Sequence, residues 1–84
     1  MTTKSQILVV VKMIDTIANP PIAKGRVTVA GANAGWKAIL GRTPFVEFEN
    51  ELPKWSMTAV KDAVLGACGR ANVPCEHRVT LVEP

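Results

Sequence analysis

Residues 55–82, WSMTAVKDAVLGACGRANVPCEHRVTLV, change their period once, and that change decides the fold. In the first part Val60, Ala63, Val64, Ala67, Cys68 and Ala71 recur at helical spacing, forming one apolar stripe with Lys61, Asp62 and Arg70 off it. Ser56 is the expected N-cap, its hydroxyl accepting from a free amide of the first turn. Gly66 and Gly69 each cost about 1 kcal/mol relative to alanine in a helix interior, which implies close approach of the helix to a sheet. Asn72 and Pro74 stop the helix. From Cys75 the period drops to two. Cys75, His77, Val79 and Leu81 then share one face, with Glu76, Arg78, Thr80 and Val82 on the other, as in a strand.

Working back toward the N-terminus, residues 6–14 (QILVVVKMI) are rich in β-branched side chains and predict a strand, apolar on both faces through Val11. Residues 15–25 contain Asn19-Pro20-Pro21 and predict a loop or an extended edge connection, because proline lacks an amide donor and restricts the residue before it. Residues 26–30 (RVTVA) alternate as a half-buried strand does. The run Gly31-Ala32-Asn33-Ala34-Gly35 predicts a hairpin turn, with residues 36–40 (WKAIL) returning as the next strand. After a turn at 41–44, residues 45–49 (FVEFE) add one more. The expected order is β-β-β-β-α-β. It describes a single small two-layer α+β domain over residues 1–84, with four or five mainly antiparallel strands and one helix on one face.

Composition agrees with a folded domain. Apolar residues make up 48% of the 84 and charged residues 20%, which excludes global disorder. A chain this short buries only about 60–65% of its unfolded surface, so a homodimer is an expected relief, with the apolar N-terminal strand pairing across it. No segment approaches the ~20 apolar residues that span a bilayer, and the N-terminal residues lack the pattern of a secretory signal. The expected location is the cytoplasm, where Cys68 and Cys75 are read as buried thiols.

The patterns that would carry chemistry are weak. Cys75 and His77 share a strand face, but no acid and no Gly-rich oxyanion turn accompany them. Cys68, Cys75 and His77 lack a fourth ligand and the tight cysteine pairs of structural zinc. The segment Gly31 to Lys37 departs from the spacing of a phosphate-binding loop. The sequence therefore predicts no catalytic residue, no metal and no cofactor.

Charge is more informative. The net charge is +3, and the pI is near 9.2. Between residues 16 and 46 there is no acidic side chain, but there are Lys24, Arg26, Lys37 and Arg42, followed directly by Glu47, Glu49 and Glu51. On a strand the three glutamates share a face opposite Val46 and Phe48. The leading expectation is a non-enzymatic protein-binding module, an inhibitor or adaptor. It would dock on another protein or protein complex, including one that handles nucleic acid, through these two patches. In size and economy the chain is similar to the small single-domain inhibitors that phages use against host defence, anti-CRISPR proteins among them, although no motif carries that likeness. The alternative is a nucleic-acid-binding domain that uses the basic hairpin, with Trp36 as a stacking platform.

Overall fold

A computed structural model of the chain describes residues 4–70 and 75–82, apart from the side chains of Arg70 and Cys75. Five strands, β1 (Lys4–Asp15), β2 (Ile22–Val29), β3 (Ala32–Ile39), β4 (Phe45–Phe48) and β5 (Cys75–Val82), form one sheet in the order β4-β3-β2-β1-β5. Every neighbouring pair is antiparallel. A short 3-10 turn (Lys54–Ser56) leads into the one helix, α1 (Met57–Arg70). The α+β architecture read from the sequence is the one observed.

Alternation builds the core. Ile7, Val9 and Val11 of β1 lie beside Val27 and Val29 of β2, and all five are wholly buried. Val60, Ala63, Val64, Ala67 and Cys68 of α1 close over them, so the predicted stripe is the packed face of the helix. Ala71 lies outside the described residues. The helix covers β1, β5 and part of β2; over β3 and β4 the same layer is filled by Trp36, Val46 and Leu52. Among the described residues, no helix is long and apolar enough to cross a membrane.

Several local expectations are corrected. β2 begins at Ile22 rather than 26, because only Pro20 and Pro21 are barred from the ladder, and the Leu40 amide donates to the Pro21 carbonyl at 2.8 Å. The hairpin turn is Ala30-Gly31, both at positive φ (49° and 78°), and Ala32 to Gly35 belong to β3. Two-residue hairpins of this kind match the twist of their strands. Ser56 does not cap α1 as expected. It is fully buried, and its hydroxyl donates to the Pro53 carbonyl at 2.6 Å, where the Ser56 amide also donates at 3.0 Å.

Gly66 and Gly69 do not approach the sheet; a Cβ on either would meet nothing within 4 Å. Close approach is instead the role of Gly25, where a Cβ would strike the Val10 carbonyl and lie 2.7 Å from the Trp36 indole. Nor is β1 free to pair across a dimer, since β2 and β5 occupy both its edges.

Candidate functional site

The face of the sheet opposite α1 carries no second layer among the described residues, and its alternate positions set the site. Lys24 on β2 is directly opposite Lys37 on β3, and Lys37 is directly opposite Glu47 on β4. One row along, Arg26 is opposite Gly35. Because Gly35 has no side chain, the Glu49 carboxylate lies over it, 2.5 Å from where a Cβ would stand, and the Glu49 amide donates to the Gly35 carbonyl at 2.9 Å. Arg26 is steadied by a hydrogen bond from its Nη2 to Asn33 Oδ1 at 3.0 Å. The register of β1 on β2 shifts between Val11 and Met13, and the intervening Lys12 joins the same group. Lys12, Lys24, Arg26, Lys37, Glu47 and Glu49 thus border one open depression of about 410 Å³.

Its electrostatics are mixed rather than uniform. Lysines directly opposite across a ladder repel, and Glu47 beside Lys37 partly offsets that. Yet the one ion pair within 4.0 Å among the described residues joins Glu76 and Arg78, on β5. None of the six charges at the depression is neutralised by such a contact. An apolar corner adjoins them: Ile22, Ile39 and Phe45 are cross-strand neighbours, and Phe45 is 54% exposed.

Five of the predicted contact residues are therefore brought together: Lys24, Arg26, Lys37, Glu47 and Glu49. Three are not. Arg42 stands in the loop after β3, and Glu51 lies beyond β4 in a second depression with Lys54 and Met57. Trp36 is the clear correction. It is 3% exposed on the helix side of the sheet, its indole against Gly25, and so offers no stacking platform at the surface. Its Nε1 is a buried donor with no hydrogen-bond partner among the described residues. Lys12 was missed by the sequence reading, which took it only as the break in an apolar run; alternation from the buried Val9 and Val11 puts it on the open face with the cations.

His77 is half-buried on the helix side of β5, opposite Val9. It lines a groove of about 380 Å³ between α1 and β5 with Ala59, Asp62, Ala63, Gly66 and Val79. An acid thus stands in the same groove as the histidine, which the sequence reading had not placed there. Among the described side chains lining it there is no serine, threonine, cysteine or lysine, and the Cys75 side chain lies outside the described residues. Cys68 is a buried thiol of the helix stripe. No group of three His, Cys, Asp or Glu side chains among the described residues is placed to hold a metal ion.

No family model, no curated protein and no solved structure matches this chain.

Proposed function

We propose that the chain is a non-enzymatic protein-binding module, an inhibitor or adaptor acting in the cytoplasm, that docks through the open face of its sheet. The observation that carries this reading is the group of six charges of both signs at one depression, none in an ion pair within 4.0 Å among the described residues. Charges held on a sheet at fixed spacing orient an incoming partner and reject wrong ones. The adjoining apolar corner supplies area to bury once the partner is seated. A small inhibitor of a host complex, of the phage anti-defence kind, is the narrower form of the proposal, and its support is size and economy alone.

Mixed sign favours a protein over nucleic acid. A phosphate backbone approaching Lys24, Arg26 and Lys37 would meet Glu47 and Glu49 as well, and Trp36, being in the core, cannot serve as a stacking platform beside them. The test is affinity capture from lysate with nuclease present, comparing the unaltered chain with the Lys24→Glu/Lys37→Glu and Glu47→Lys/Glu49→Lys variants. A discrete protein retained by the unaltered chain and lost by at least one charge-reversed variant is expected. Equal capture by all three would refute the proposal. Recovery of nucleic acid alone without nuclease, weakening steeply with salt, would favour the alternative.

A further inference from the structure

We infer that the outer edge of β5 pairs with β5 of a second copy of this chain, antiparallel and two-fold, centred on Val79. This surface is separate from the charged depression, which lies toward the other end of the sheet. β5 ends the strand order, and no described strand pairs with its outer edge. A free edge presents a row of unsatisfied N–H and C=O groups, and proteins usually blunt it with shortness, proline, charged side chains or a bulge. The opposite edge is blunted by shortness, since β4 has 4 residues. β5 is blunted less: it runs for 8 residues in unbroken register with β1, without proline or lysine, and its charges are the two residues Glu76 and Arg78.

Its side chains suit its own copy. The two charged ones, Glu76 and Arg78, are of opposite sign and lie 4.0 Å apart, so the edge carries no net repulsion between copies. On the helix side Val79 and Leu81 are half-buried, Val79 lining the α1–β5 groove, and an added strand would bring apolar side chains beside them. Geometry then selects the register. Residues directly opposite each other in an antiparallel pair point to the same face, so a two-fold axis along the sheet normal must fall on a residue. Centring on Arg78 sets that cation against its own copy. Centring on His77 or earlier shortens the overlap within β5, which begins at Cys75. Centring on Val79 overlaps residues 76–82 completely and sets Arg78 against Thr80 and His77 against Leu81, with about six to eight new backbone hydrogen bonds. The two sheets become one, with both helices on one side and both charged depressions on the other.

Thr80 is exposed on the open face, so its charge can be changed without touching the core. Sedimentation equilibrium of the full chain, unaltered and with Thr80→Glu or Thr80→Lys, tests the register. Each substitution acts twice by symmetry, facing Arg78 of the other copy. Glutamate is expected to tighten the dissociation constant about three- to tenfold and lysine to weaken it by a similar factor. High salt should shrink both effects. In parallel, hydrogen exchange at the amides of residues 76–82 is expected to slow as protein concentration rises. A chain that stays monomeric to about 1 mM, which is the weakest association worth claiming at −4.1 kcal/mol, overturns the inference. So does a dimer whose dissociation constant neither substitution moves.

Discussion

Gly66→Ala should stabilise the protein. Gly66 lies inside α1, is exposed, and an added Cβ would find nothing within 4 Å. The substitution therefore changes no packing. What remains is backbone entropy, since glycine has more conformations to lose on folding than alanine. That difference is about 0.8–1 kcal/mol in a helix interior. For a domain of this length it corresponds to a rise of roughly 4–8 °C in melting temperature. Chemical denaturation followed by circular dichroism should show the midpoint moving up while the slope stays fixed, because the area exposed on unfolding is unchanged. Gly69→Ala should act in the same direction but less, being in the last turn of α1, where helix ends fray. A neutral or destabilising result at Gly66 would mean that the helix or a bound chain approaches closely there. The sequence-based expectation of close packing would then be right and the open groove wrong.

Three further outcomes follow from the backbone. Gly25→Ala should cost at least about 2 kcal/mol or prevent folding, because its Cβ would strike the Val10 backbone and the buried Trp36 indole, and thermal melting would show it. Ala30→Asn should add about 0.5–1 kcal/mol, since Ala30 holds φ at 49° and asparagine tolerates that region better; the Asn-Gly pair is also the favoured two-residue hairpin turn. Gly35→Ala should alter stability by less than about 1 kcal/mol, because its Cβ would meet only the far end of the Glu49 side chain, which can swing aside. It should instead weaken partner capture by displacing that carboxylate, a loss visible in the same affinity assay.

How much of this was legible in the sequence differs from element to element. The helix stripe and β5 were readable because each is a local period over many residues. The hairpin was not. Gly35 looks like turn material, but its reason is a side chain that arrives from the end of β4. Lys12 faces the site by parity, but its neighbours there follow only from the pairing of β1 with β2. The displacement of Trp36, by contrast, could have been foreseen: adjacent residues on a strand point to opposite faces, so Trp36 and Lys37 could not both line one surface. Parity had already assigned Glu47 to the face opposite Val46 and Phe48. Its meeting with Lys24 and Lys37 required the strand order as well, and no run of residues encodes that locally.

The strand order also has a kinetic consequence. β1 is held between its hairpin neighbour and β5, so β1, synthesised well before β5, must wait for that strand before its second edge is satisfied. Pairings this distant along the chain slow folding. In the interval Ile7, Val9 and Val11 have no helix above them, and nascent chains are then open to self-association or to chaperone capture. Production at reduced temperature, or in vitro refolding at low concentration, should accordingly raise the yield of folded material.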